Sequence, residues 1–249
     1  MSQAAEDKRA GSAGPSRKRI HAPLDPAARP SGLPAPWDRL AWRTLAPFRN
    51  EAKARVFWAQ DGERRLVCKD GSLALGRPVV GRFRRWALAN EARALAAMEG
   101  IEGVPRLVAH WRAGLIMEFV PGRLLTEHER GSVPAVVFER LDRIVDAIHA
   151  RGLAIGDLHR RNILVDEQQR VHLVDFELAQ DRRRGLGRLL GAPLQRLDRL
   201  AAARQRQYHG APLDPAQAAL LARRPLAYRL FRRLKRWLRA MRPRERAPR

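Results

Sequence analysis

One short ribbon constrains this chain more than anything else in it. Ile163-Leu164-Val165 and Val171-His172-Leu173-Val174 are β-branched and apolar runs that flank the polar stretch Asp166-Glu167-Gln168-Gln169, so they read as a hairpin. Asn162 stands at its entrance and Asp175 at its exit, and pairing brings both to one end of the ribbon. Five residues before Asn162 lies Asp157, in the run Ile155-Gly156-Asp157-Leu158-His159. Magnesium takes hard oxygen ligands and keeps several waters, so one carboxylate, one amide oxygen and a set of phosphates suit it better than His or Cys. Asp175 and Asn162 supply that pair. Asp157 can accept or orient the proton of an attacking hydroxyl from about 3 Å. Phosphoryl transfer asks for this kind of positioning and charge neutralisation rather than for a protein nucleophile.

A site for a nucleotide triphosphate needs further parts, and candidates lie upstream. Leu66-Val67-Cys68-Lys69 reads as a short strand ending in Lys69, and Ala87 to Met98 as a helix that places Leu88, Glu91 and Leu95 on one face. A carboxylate on an apolar stripe needs a partner when buried, and Lys69 is the candidate for Glu91. Gly114 to Gly122 reads as a buried strand ending in a Pro-Gly turn, a connector whose backbone at Glu118, Phe119 and Val120 suits the edge of an adenine. Val137, Leu141, Ile144, Val145 and Ile148 then repeat at helical spacing, and Arg151-Gly152 closes that helix just before the catalytic segment.

From about Trp42 to about Gln180 the order of these parts resembles the protein-kinase-like superfamily. The runs Gly156-Asp157-Leu158-His159 and Asp175-Phe176-Glu177 are similar to its small bacterial and atypical branches: lipopolysaccharide core-sugar kinases, RIO-type kinases and aminoglycoside phosphotransferase-like enzymes. The resemblance implies an α+β, two-lobed fold with a small antiparallel-sheet N-lobe and a mainly helical, shortened C-lobe. It implies ATP and Mg2+ as cofactors, with Lys69 on the α and β phosphates and Glu91 holding Lys69. Asp157 becomes the catalytic base, and Asn162 with Asp175 the metal ligands. The chain divides on this reading into a disordered tail (1–36), the N-lobe (37–120), the C-lobe (121–222) and a basic amphipathic helix with its tail (223–249).

Three departures bear on function. Ile155 stands where the family usually has a His two residues before the catalytic Asp, so a hydrogen bond bracing the loop is expected to be lost. The stretch Arg49 to Arg55 contains no Gly where the family has a phosphate loop, which leaves Lys53 or Arg55 to act there by charge. Glu177 replaces the Gly that lets the metal-binding segment flip, so regulation by such a flip is not expected. Downstream, no Ser or Thr follows Ser132, and about seventy residues follow Asp175, too few for the helices on which protein kinases dock a peptide. A small or membrane-presented hydroxyl fits better.

Charge sharpens the question of partners. Residues 182–249 carry 20 of the 49 Lys and Arg against three acids, hence +17 of the total +23. Within that part, Leu226, Leu230, Phe231, Leu234, Trp237, Leu238 and Met241 follow helical spacing among arginines, so residues 223–242 suit an inner-leaflet anionic membrane surface or pack on the C-lobe. The single Cys68 excludes an intramolecular disulfide framework and reads as a core residue. With no apolar leader and no run approaching a membrane span, cytoplasmic residence is the expectation, peripheral on the membrane if the basic helix binds it. The leading reading is a kinase for a hydroxyl on an anionic glycolipid or sugar, such as a lipopolysaccharide core sugar. A RIO-like serine/threonine protein kinase is the alternative. Nucleic acid stands behind both, since no aromatic-rich RNA-reading motif is present. A pseudokinase binding module is the third reading, prompted by Ile155 and the missing glycines, yet Lys69, Asp157, Asn162 and Asp175 are all retained.

Overall fold

The computed structural model describes residues 28–46, 54–76, 78–185 and 187–222. A five-stranded antiparallel sheet comes first, built from β1 (Arg43–Ala46), β2 (Arg55–Asp61), β3 (Arg64–Asp70), β4 (Leu107–Trp111) and β5 (Gly114–Glu118) in the order β1-β2-β3-β5-β4. Strands β2 and β3 are joined at the two-residue turn Gly62-Glu63, where Gly62 takes φ +59°. Such a tight hairpin turn calls for a left-handed residue, which glycine adopts without a Cβ clash.

Strand periodicity decides what this sheet can hold. Successive side chains of β3 alternate faces, so Leu66 and Cys68 point one way while Val67 and Lys69 point the other. Leu66 and Cys68 join Trp42, Phe57, Ala59 and Ile116 in one buried cluster. Val67 joins the main core with Leu88 and Leu95 of α1 (Pro78–Ala97), which is the face on which Lys69 meets its partner. The helix begins nine residues before the run read from sequence, because Val79, Phe83 and Trp86 in its first turns are exposed and obscure the apolar period.

The outer face of the sheet is covered by a segment read from composition as tail. Ala28, Leu33, Trp37 and Leu40 pack against the cluster around Phe57, Ser31 N–H donates to Asp70 Oδ2 at 3.1 Å, and Trp42 Nε1 donates to the Trp37 carbonyl at 2.9 Å. The ordered cover thus includes 28–36. A Pro-rich stretch has no helical or strand period, so its few apolar residues gave no signal of what they would bury. Residues 1–27, residues 47–53 with Lys53, and the basic segment 223–249 lie outside the described residues.

The second lobe is mainly helical. Helix α2 (Ala135–Ala150) buries Val137, Phe138, Leu141, Ile144, Val145 and Ile148, the stripe legible in the sequence, and packs on α3 (Gly187–Tyr208). Helix α4 (Pro215–Ala222) follows α3. Two small sheets complete the lobe: β6 (Arg123–Leu124) with β8 (Ile163–Val165) and β9 (Val171–Leu173), and β7 (Leu153–Ala154) with β10 (Gln180–Asp181). One continuous apolar core runs from Leu88, Leu95 and Leu115 through Phe138 and Ile148 to Ile163, Leu173 and Phe176. Phe176 is fully buried, which contributes about 2 to 3 kcal/mol and ties the segment after Asp175 to both lobes. Among the described residues, no helix is long and apolar enough to cross a membrane.

Candidate active site

The hairpin forms in the register Ile163↔Leu173, Leu164↔His172, Val165↔Val171. Val174 N–H donates to the Asn162 carbonyl at 3.0 Å and extends the pairing by one step. Asn162 and Asp175 are thereby held at one end of the ribbon. Asn162 is buried, and its Nδ2 donates to the Asp157 carbonyl at 3.2 Å, closing the loop that carries Asp157. His159 Nε2 lies 3.7 Å from Asp157 Oδ2, with both side chains partly exposed.

From the sheet side, Lys69 Nζ donates to both oxygens of Glu91 at 2.7 and 2.9 Å, and lies 3.3 Å from Asp175 Oδ1. Glu91 is fully buried and its Oε1 also accepts Phe176 N–H at 3.1 Å. Burial pushes the Lys69 ammonium down, but Asp175, Glu91 and Glu177 outweigh it and hold the group above its ordinary range. Burial raises the Glu91 carboxyl and the ammonium opposes that, so each charge in this pair depends on the other. Asp175 takes φ +71°, a left-handed conformation uncommon for residues with a Cβ, although Asp is among those that reach it most readily.

The connector narrows under this geometry. Glu118 N–H donates to the Arg106 carbonyl at 2.9 Å and Phe119 N–H to the Arg65 carbonyl at 2.8 Å. Those two donors are committed to the fold, so of the three N–H groups only that of Val120 can meet an adenine edge. Arg55 turns its Nη2 to the fold. Its Nη2 bonds the buried Asp70 carboxylate at 2.6 Å, with Ser72 Oγ at 3.3 Å and Ser31 Oγ at 3.4 Å, which fastens the cover segment to the sheet. Cys68 is fully buried. Burial and then the Asp70 charge push its thiol up, against Arg55, so it packs as a small apolar residue.

A residue that sequence reasoning missed explains Ile155. Asp198 on α3 is almost wholly buried, accepts Ile155 N–H at 2.8 Å and Gly156 N–H at 3.0 Å, and faces His149 Nε2 at 3.1 Å. The loop is therefore braced through backbone N–H groups, which any residue but proline offers. Ile155 sends its side chain into the core instead, so the expected loss of bracing does not occur. Gln195, one turn before Asp198, donates to the carbonyls of Leu153 at 2.8 Å and His149 at 3.3 Å. A signal was present: Asp198 shares a helical face with Gly191, Gln195 and Ala202, all buried, and an acid on a buried face needs donors.

Comparison with known proteins agrees with this architecture. Residues 81–183 match the RIO domain. The Rio2 kinase of Chaetomium thermophilum, in its ADP/Mg2+-phosphoaspartate complex, superposes with a TM-score of 0.51 at 18% identity over 66% of this chain and 55% of that one. A second structure of the same kinase gives 0.52 at 17%, covering 66% and 57%. Among curated proteins, the chain is 28% identical over 148 residues to a probable SapB synthase of Streptomyces coelicolor, covering 50% of this chain and 16% of that protein. It is 29% identical over 113 residues to a probable casein kinase I homolog of Encephalitozoon cuniculi, covering 41% and 36%. It is 35% identical over 95 residues to CBL-interacting protein kinase 16 of Oryza sativa subsp. japonica, covering 38% and 18%. The chain spans about a sixth and about a third of the length of the first two of these relatives.

Proposed function

We propose, from the premise that this chain has a protein-kinase-like fold with a RIO-type segment at 81–183, that it transfers the γ-phosphoryl group of ATP to a hydroxyl. The observation that carries the reading is the three-way contact of Lys69 with Glu91 and Asp175, set beside the Asn162 to Asp157 bond. That arrangement sets one fixed cation beside one metal-type carboxylate, with Asp157 tied to the Asn162 end of the same hairpin.

The oxygen-rich donor set fits magnesium. Carboxylate oxygens of Glu91, Asp175 and Glu177 lie within 4.8 Å of one another, and Asn162 adds an amide at the same end of the hairpin. Asp175 and Asn162 would hold the ion, which when bound neutralises phosphate charge. Lys69, kept charged by its acidic neighbours and oriented by Glu91, would bind the α and β phosphates. Val120 N–H would take the adenine edge. Asp157, on a loop fixed by Asn162 and Asp198, would orient the acceptor hydroxyl and receive its proton.

For the acceptor we favour an anionic, membrane-associated glycolipid such as a lipopolysaccharide core sugar, reached from the cytoplasmic side. The supporting observation is that β10 passes into α3 within five residues, leaving little surface on which to dock a peptide. The basic segment 223–242 would hold the acceptor or the inner leaflet. A RIO-like protein kinase is the second reading, favoured by the match at 81–183.

Magnesium-dependent thermal shift with ATP tests the core proposal. The wild type should gain several degrees with ATP and Mg2+ together, and Asp175→Ala should gain none. No gain in the wild type rejects the kinase reading. Labelled ATP offered with core glycolipid or with a generic protein substrate then separates the acceptors, and label in protein alone rejects the glycolipid.

A further inference from the structure

We infer that Arg84 is a positioning residue for the metal-binding segment, acting through Glu177, so that Asp175 is locked to α1 rather than free to swing away from it. The inference rests on the reading of Asp175 as a magnesium ligand. Where the family has a glycine hinge, Glu177 puts a carboxylate, and Arg84 Nη1 donates to its Oε1 at 2.6 Å. The guanidinium is nearly buried, while Glu177 is about a quarter exposed. In such a setting a buried cation needs its partner far more than a surface one does.

Arg84 precedes Glu91 by seven residues, two turns along one helix, so both side chains lie on the same face of α1. Between them, Asn90 Nδ2 donates to the carbonyls of Glu177 at 3.1 Å and Ala179 at 2.7 Å. With Phe176 N–H on Glu91, residues 176, 177 and 179 are each fastened to α1. Asp175 itself, in its left-handed conformation, is the residue that this fastening constrains. Removing a neighbour's restraint allows it to relax toward ordinary backbone angles and out of register with Lys69.

The sequence also makes room for the arginine. A Cβ at Gly71 would fall 2.6 Å from Arg84 Cγ and 2.8 Å from Leu88 Cδ1, although Gly71 has an ordinary negative φ. Gly71 is therefore needed for space, and the space is taken by the stem of Arg84. A side chain admitted this deeply and ended on Glu177 serves the segment it holds.

The test is a Mg2+ titration of the ATP-induced thermal shift, performed on Arg84→Met, Glu177→Gln and the double variant. Outer partners that orient a metal ligand change metal affinity by roughly 10- to 100-fold, so each single variant should raise half-saturating Mg2+ about tenfold or more. The double variant should be no worse than either single one, and Arg84→Lys should recover part of the loss. A purely structural arginine would lower the melting temperature of the free protein and leave half-saturating Mg2+ where it is. Unchanged Mg2+ dependence in Glu177→Gln, or additive losses in the double variant, would overturn the inference even if Arg84→Met fails to fold. A wild type with no ATP and Mg2+ response overturns the kinase reading and this inference with it, whereas a responsive wild type beside unaffected variants sinks the inference alone.

Discussion

Two loops meet at the site, and they are held in different ways. The backbone leading into Asp157 is gathered by one buried carboxylate, Asp198, which takes two backbone N–H groups and a histidine, while Asn162 closes the loop beyond it. The segment of Asp175 depends on several side chains of α1 and β3, each making one or two bonds. A hub of the first kind should fail all at once, since deleting it orphans every buried donor it serves. A distributed anchor should fail by degrees. The hub also tolerates sequence change in the loop, because it reads backbone rather than side chains.

The largest effect should come from breaking the hub. Asp198→Ala leaves the Ile155 and Gly156 N–H groups and His149 without their acceptor in a buried site, which should cost about 3 to 5 kcal/mol. For a domain of this size that lowers the melting temperature by roughly 10 °C or more, and activity should fall with it. Urea denaturation measures the first and phosphoryl transfer the second. A loss below about 1 kcal/mol would break the comparison, since the Asn162 bond and the packing of Ile155 would then suffice to hold the loop.

Glu91→Gln probes the distributed anchor. The amide oxygen still accepts from Lys69 and from Phe176 N–H, and Lys69 keeps Asp175. The amide NH2 would nonetheless face Lys69 Nζ where Oε2 now accepts, so stability should fall by about 2 kcal/mol, less than in Asp198→Ala. Turnover should suffer more, by roughly 100-fold, because Lys69 loses the charge that orients it toward phosphate. If stability falls as far as in Asp198→Ala, the two loops are not held differently after all.

Ile155→His sharpens the same contrast. A histidine there supplies the residue that the resemblance to protein-kinase-like proteins leads one to expect, yet backbone bracing is already in place, so activity should stay within about twofold. Burying an imidazole in a well-packed apolar position should cost about 1 to 3 kcal/mol of stability. A large gain in turnover would mean that the bond to Asp198 does not brace the loop.

Much of the architecture was legible because its signals are local. The hairpin at 163–173, the strand of Lys69 and the stripe of α2 follow periods of 2 and 3.6, and those periods survive without knowledge of the fold. Lys69 with Glu91 was legible because a carboxylate on an apolar face demands a cation. Asp198 was harder, since its partners lie 42 and 43 residues away and nothing local specifies which N–H groups it will take. Arg84 was obscured by Arg82 and Arg85 beside it, of which neither is buried, so composition alone could not tell a buried cation from solvated ones. Residues 28–36 escaped notice because cover segments bury scattered side chains without any period.

Asp166 supplies the smallest effect and the cleanest control. Like Asp198 it gathers several donors, accepting from the N–H groups of Gln168 and Arg170 and from Arg170 Nε, with His172 Nε2 at 3.2 Å. It does so in the turn of the hairpin, at the end opposite to Asn162 and Asp175. Burial pushes its carboxyl up, but the hydrogen bonds from Arg170 and His172 and the Arg170 charge together hold it below its ordinary value. The unfolded chain therefore binds a proton more readily near pH 4 than the folded one does, and stability rises with pH through that window. The contribution is fully present above the ordinary aspartate range and disappears as pH falls through the lowered folded value. Asp166→Asn should lose about 1 kcal/mol at neutral pH, and less of its stability should then depend on pH between 3 and 5, as urea melts across that range would register. Half-saturating Mg2+ should not move, because the turn can loosen while the far end of the ribbon stays paired. If it does move, the ribbon is rigid along its whole length, and the difference between a carboxylate that braces the site and one that merely closes a turn disappears.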